Sequence, residues 1–241
     1  MACSKRKNME TFYGQVINII KHDETTFSFD IETEEISKWT PGEHTFLIVR
    51  VGEKEVGKKL SIASSPHEGF LRFTTRVTEP RSDYKEVLVN LVKGEYVKLG
   101  KPEGVLKLRR ELRPLVLLSE GIGIAPMRAM VSSYVDNQNH ISEMIQLSLD
   151  EIGDIYKEEF DLYKSDLKHF SSYYLSSKAG YFDMLHHELR MLMKRQDLEP
   201  IIYLTGTDDF VDENVIRLKA LGFLDIIKDD PKAGCNGCGS H

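Results

Sequence analysis

The sequence predicts two domains: an N-terminal antiparallel Greek-key β-barrel, then a C-terminal α/β domain built on a parallel, Rossmann-like sheet. Three observations predict this. The first 110 residues break into short runs that alternate apolar and polar side chains or are β-branched and aromatic, the period of half-buried strands. From Pro114 onward, apolar runs alternate with stretches of helical spacing, which implies a parallel sheet with helices on both faces. Between the halves lies a charged, extended segment, Lys107–Arg113, which places the domains at 1–110 and 111–231 and leaves 232–241 as a flexible Cys/Gly tail.

In the first half, Tyr13–Asp23, Thr26–Thr33, His44–Val51, Phe70–Val77 and Tyr96–Gly104 read as strands, punctuated by glycines such as Gly42, Gly52 and Gly94. Only Tyr84–Val92 has helical spacing, with Ser82 or Asp83 placed to cap it. Strands in this number with one short helix fit a small barrel. Trp39 reads as a packing residue at a turn and His44 as structural. One stretch is anomalous. Lys58–Pro66, KKLSIASSP, puts small hydroxyl residues where a strand should pack apolar ones. A strand that ends in small hydroxyl residues is expected to have something lying against its backbone.

In the second half, Pro114–Ser119, Glu143–Leu149, Ser171–Ser176 and Pro200–Gly206 are strands of the buried type. Ala125–Val135, Asp154–Ser165, Phe182–Arg195 and Asp212–Gly222 are helices. Met184, Leu185, Leu189 and Leu192 form a packing stripe, and the adjacent His186 and His187 point to different faces, so they cannot share an ion. The glycine turn SEGIGIAP, Ser119–Pro126, lies between the first parallel strand and its helix. There a doubly wound sheet offers a helix N-terminus to a phosphate. Pro126 in the first helical turn loses no needed N–H. The same glycines also suit a tight turn without a ligand.

Composition narrows the function classes. Hydrophobic content of 41% and charged content of 29% are ordinary for a globular protein. A net charge of -6 argues against nucleic acid or an anionic membrane as the main partner. Apolar runs such as Pro114–Leu118 are too short to span a bilayer, and the basic N-terminus has no apolar run behind it to make a secretory signal. Three cysteines make no disulfide framework, so a cytoplasmic location is expected. Cys235 and Cys238 with His241 offer at most three ligands in a glycine-rich tail, and no metal site is expected there.

In order along the chain, LSIASSP resembles the R-x-Y-S-I-A-S-x-P flavin turn of the ferredoxin–NADP(+) reductase family. FTTRV followed by RSDYKEVLVNLVKGEYVKLGKPEG resembles its phosphate-contacting helix and G-P-x-G turn. RPLVLLSEGIGIAPMRAM resembles its R-P-L-V-L-I-A-G-G-I-G-I-T-P strand–turn–helix, and IIYLTGTDDFVDENVIRLKALGF its C-G-P-x-x-M-V segment. The resemblance runs over nearly the whole chain. It implies FAD, rather than FMN, bound by Lys58, Leu60, Ser61, Ile62, Ala63, Ser64, Thr75, Arg76 and Val77, with Arg81 and Ser82 on the flavin phosphates. It implies a nicotinamide dinucleotide along Gly121, Ile122, Gly123, Ala125 and Pro126, with Thr205 and Gly206 beside the nicotinamide. The implied catalytic residues are Ser61, hydrogen-bonded near flavin N5, and Thr205.

The sequence also departs from the family pattern. Lys58 replaces an arginine and lacks its bidentate fork, and Leu60 replaces a stacking tyrosine. Glu120 replaces the first turn glycine, where an ionised carboxylate repels a pyrophosphate unless it faces away. Ala125 replaces threonine, Thr205-Gly206-Thr207 replaces Cys-Gly-Pro, and KDDPKAGCNGCGSH replaces the closing aromatic segment. These changes bear on hydride transfer more than on flavin affinity, which is spread over many backbone contacts. Close relatives carry Ser-Asn-Arg where this chain has Ser148, Leu149 and Asp150. A carboxylate there prefers a free ribose 2′-OH, which favours NADH over NADPH. From the residues alone, Asp150 equally suits a cap on a helix at Ile152–Lys157. The implied function is a FAD-dependent oxidoreductase moving electrons between NADH and a separate one-electron acceptor protein. The alternatives are an electron-transfer subunit with a vestigial nucleotide site, and a degenerate scaffold without turnover.

Overall fold

The computed structural model describes residues 10–195 and 198–229. Cys3, Cys235, Cys238 and His241 lie outside the described residues.

Strands β1 (Thr11–Lys21), β2 (Thr26–Glu32), β3 (His44–Val51), β4 (Lys54–Ser61), β5 (Leu71–Arg76) and β6 (Tyr96–Gly100) form one curled antiparallel sheet, in the order β4-β3-β6-β1-β2-β5. Its two edges meet where Ile62 bridges Phe73 and the Ala63 N–H donates to the Arg72 carbonyl at 2.7 Å. Phe29, Ile31, Leu47, Ile62, Phe73 and Leu99 fill the interior. Helix α1 (Asp83–Val89) closes one end: Tyr84 and Leu88 point inward, and the Tyr84 hydroxyl donates to the Leu47 carbonyl at 2.9 Å. Ser82, one of the two capping candidates in the sequence, is its N-cap, and Asp83 is the first helical residue. Strand β4 carries no apolar alternation because it is an edge with a solvated face, guarded by Lys54, Glu55 and Lys58.

The second sheet is parallel throughout, in the order β11-β10-β7-β8-β9. Its strands are β7 (Arg113–Glu120), β8 (Ile141–Leu149), β9 (Phe170–Leu175), β10 (Ile201–Thr205) and the short edge β11 (Ile226–Lys228). Helices α2 (Ile124–Asp136) and α3 (Lys157–Asp166) cover one face through Met127, Met130, Tyr134 and Phe160. Helices α4 (Lys178–Lys194) and α5 (Asp208–Ala220) cover the other through Tyr181, Leu185, Leu189, Phe210 and Leu218. Strands buried on both faces explain the unbroken apolar runs. Among the described residues, no helix is long and apolar enough to cross a membrane.

The two sheets are joined through a polar interface. Arg128 of α2 donates to Glu68 at 2.9 and 3.1 Å, to Glu159 at 2.7 and 2.9 Å, and to the Ala63 carbonyl at 2.8 Å. Its guanidinium also lies 5.3 Å from the ring centre of Tyr156. The buried Tyr156 hydroxyl meets Thr74 and Ser28 of the barrel, and Ser28 lies 2.7 Å from His22 Nε2.

Candidate functional site: a cleft between barrel and parallel sheet

A cleft of about 1030 Å³ runs between the barrel and the carboxyl ends of β7, β8 and β10. Open α/β sheets bind ligands at these strand ends, where helix N-termini and loops converge. The barrel wall supplies Leu60 and Ser61 at the end of β4, Thr74, Thr75 and Arg76 of β5, and Lys85 of α1. The opposite wall supplies Gly121, Ile122, Gly123, Ala125 and Pro126, then Asp150, Thr205 and Gly206. So the flavin turn and the glycine turn read from the sequence, about sixty residues apart in the chain, face one cleft.

Several expected site residues do not line it. Ile62, Ala63 and Ser64 are wholly buried in the barrel wall. The Ser64 hydroxyl donates to the Phe70 carbonyl at 2.7 Å and accepts from the Arg72 N–H at 2.9 Å, while its own carbonyl accepts from Trp39 Nε1. Small residues at 63 and 64 therefore serve the barrel seam, and Lys59, Leu60 and Ser61 carry this stretch to the cleft. Val77 is buried, its N–H donating to the Thr25 carbonyl. Arg81 is exposed and pairs with Glu79 and Glu86, and the Ser82 hydroxyl accepts from the Lys85 N–H. Lys58 is exposed on β4.

Lys85 is the cation that the sequence reading missed. Its amine donates to Thr75 Oγ1 and, at 3.1 Å, to the Arg76 carbonyl, and among the described residues no carboxylate pairs with it. Burial, then the nearby charge of Lys58, holds this amine below the usual lysine value. A half-buried ammonium with only neutral partners beside a second lysine is a site short of an anion. A faint signal existed: Lys85 lies three residues after the capping serine, but helix position alone does not separate it from a solvated lysine.

The glycines divide into two kinds. A Cβ on Gly123 would stand 2.9 Å from the Thr205 carbonyl oxygen, and one on Gly206 would stand 2.7 Å from the Phe210 ring and 2.8 Å from Glu120 Cβ. These two glycines admit neighbouring chain. Gly121 has a left-handed φ of 53° and faces Arg76 Nη1, 3.5 Å from the position of a Cβ. Gly123→Ala is expected to lower stability by about 1–3 kcal/mol through overpacking. An unchanged Tm in a thermal melt would show that the turn moves aside freely.

Glu120, the residue in place of a family glycine, accepts from the Thr207 N–H at 3.1 Å and from its hydroxyl. It thereby ties the β7–α2 turn to the cap of α5. The Thr205 hydroxyl is also occupied, donating to the Gly123 carbonyl at 2.6 Å. Asp150 is buried, with one carboxylate oxygen accepting from the Ile152 N–H at 3.0 Å, and α3 begins only at Lys157. Its turn is local and caps no helix at Ile152. The same carboxylate pairs with Arg76 across the cleft at 2.8 Å. On the α/β side Glu120, Asp150, Glu151, Asp208 and Asp212 outnumber the basic lining residue Lys228.

No protein-family model matches this chain. It is 18% identical to the flavohem-like FAD/NAD-binding domain of nitric oxide dioxygenase from Vibrio cholerae, with a TM-score of 0.74 over 90% of this chain and 97% of that one. A ferredoxin–NADP+ reductase variant from Plasmodium falciparum superposes at TM-score 0.75 with 12% identity, over 90% of this chain and 96% of that one. The fold is that of the ferredoxin–NADP+ reductases. The CS-b5R domains of human Ncb5or, in their NAD+ form, share the ferredoxin–NADP+ reductase fold seen here at TM-score 0.77 and 18% identity, over 94% of this chain and 71% of that one. In sequence, the chain is 24% identical over 200 residues to a flavohemoprotein from a Burkholderia strain, covering 78% of this chain and 49% of that one. It is 27% identical over 128 residues to the toluate 1,2-dioxygenase electron transfer component of Pseudomonas putida, covering 52% of this chain and 37% of that one. The aligned segments thus span half or less of the length of these curated relatives.

Proposed function

We propose that this chain is a FAD-dependent oxidoreductase that moves electrons between NADH and a separate one-electron acceptor protein. The barrel, residues 1–110, holds the flavin, and residues 111–231 hold the dinucleotide. The observation that carries this reading is the cleft itself, with the half-buried Lys85 amine, held only by neutral oxygens, on the barrel side and a glycine turn at a helix N-terminus opposite. Lys85 suits the flavin phosphates, with the exposed Lys58 adding its charge from outside the cleft, while Leu60, Ser61 and Thr75 present the wall for the ring. When bound, the flavin supplies the capacity to accept a hydride and release electrons singly. The chain's own residues orient it and exclude water, Ser61 as the hydroxyl at the ring edge.

NADH is favoured over NADPH by the excess of carboxylates on the α/β wall, which opposes an added 2′-phosphate. The acceptor protein is supported by the likeness to an electron transfer component, and a cytoplasmic setting by sparse cysteine use. A second reading, an electron-transfer subunit with an idle nucleotide side, is favoured by the internal bonds that already engage Glu120, Thr205 and Asp150. Anaerobic NADH titration of the purified protein tests these readings. Visible flavin bands that bleach support the oxidoreductase, and bands that persist support the subunit. A colourless protein that takes up no added FAD sinks both.

A further inference from the structure

We propose that Asp150 is a resident stand-in for a ligand phosphate on Arg76, so that a nucleotide's phosphate binds by displacing it. This rests on reading the cleft as a nucleotide site.

Arg76 ends β5 and reaches across the cleft, its Nη2 2.8 Å from one carboxylate oxygen of Asp150 and its Nη1 3.4 Å from the other. A carboxylate and a phosphate offer the guanidinium fork the same paired oxygens. The pair stands at the glycine turn, because Arg76 Nη1 is the atom that faces Gly121. The side chains are only 13% and 5% exposed, so the attraction is weakly screened. The remaining guanidinium nitrogen, Nε, has only a long bond to Thr26 Oγ1 at 3.3 Å, so the fork's two ends are committed to Asp150. Lys85 holds the Arg76 carbonyl, which fixes this strand end beside a second cation. The nearest other acid on the turn, Glu120, is turned away to Thr207. Asp150 thus supplies the anion that this cationic corner lacks, and its bond from the Ile152 N–H keeps it in place when Arg76 turns to a ligand.

This role differs in sign from that of a ribose reader. A residue that binds the 2′-OH adds affinity, whereas a stand-in for phosphate subtracts it. Asp150→Asn removes the charge and retains an oxygen for the Ile152 turn. Asp150→Ser is the second charge-removing variant, in case the Asn amide oxygen still occupies Arg76. Calorimetric titration of the purified protein with ADP and with inorganic pyrophosphate, which has no ribose, decides the matter. Either variant is expected to bind both probes about tenfold or more tightly than the wild type, and adding Arg76→Gln is expected to erase the gain. A variant that binds ADP more weakly with pyrophosphate unchanged would make Asp150 a ribose reader and overturn the proposal, leaving the nucleotide site intact. Unchanged affinity for both probes would overturn it as well. If neither the wild type nor any variant binds ADP, the nucleotide reading itself fails and the proposal falls with it.

Discussion

Arg128→Ala is expected to lower the unfolding free energy by about 3–5 kcal/mol, the usual cost of removing one partner from a buried ion network. The side chain is 5% exposed and binds two carboxylates from different parts of the chain, Glu68 beyond the barrel seam and Glu159 on α3. Alanine leaves both carboxylates in a poorly solvated pocket and frees the Ala63 carbonyl. Urea unfolding followed by circular dichroism measures the loss; a change below about 1 kcal/mol would place the pair in the class of solvated surface bridges. The acid limb gives a second check. Burial pushes the Glu68 carboxyl up, but the hydrogen bond and charge of Arg128 outweigh it and hold the group below its ordinary 4.5. The ionised form is therefore tied to the folded state. Its contribution is fully present above about pH 4.5 and is lost as pH falls through the depressed folded value. The wild type is expected to lose stability in that window more steeply than Arg128→Gln.

The second large effect is on flavin retention. Lys85→Gln is expected to raise the Kd for FAD by about 10- to 100-fold, the worth of one charge-assisted hydrogen bond of about 1.5–3 kcal/mol. Lys58→Gln is expected to cost only a few-fold, because that lysine is exposed. Titration of flavin-stripped protein by fluorescence quenching measures both. In the absence of flavin, Lys85→Gln is expected to leave stability unchanged or raised, since it removes a half-buried ammonium held only by neutral oxygens. Losing affinity while keeping stability separates a ligand-binding lysine from a structural one. An unchanged Kd would place the phosphates elsewhere.

Much of this architecture was legible because it rests on periodicity. His44–Val51 matches β3 as read, and the four long helices and four buried strands of the second half fall within a few residues of expectation. Strand β4 was missed as a strand because its outward face is solvated on a sheet edge and shows no alternation. The three-residue β11 is too short to register as a pattern. At the site, motif order points to Gly121, Arg76 and Ser61, and all three line the cleft. Ala63 and Ser64, expected beside a flat ring, are buried in the barrel seam, and a seam between strands and a surface for a flat ring both demand small residues. Lys85 leaves only a faint signal in the sequence and the Arg76–Asp150 pair none, since they join residues brought together only by the tertiary fold.

The strand order has a consequence for how the chain matures. In the barrel sheet the last strand made, β6, lies between β1 and β3. Until Gly100 has been synthesised, the β1–β2–β5 and β3–β4 ladders have no common member, and their facing edges stay unpaired. The parallel sheet is built the other way: β7, its first strand, is its centre, and β8 then β9 add outward on one side before β10 and β11 on the other. A nascent chain therefore holds its first half open to the end of that half, whereas its second half can condense around a strand already present.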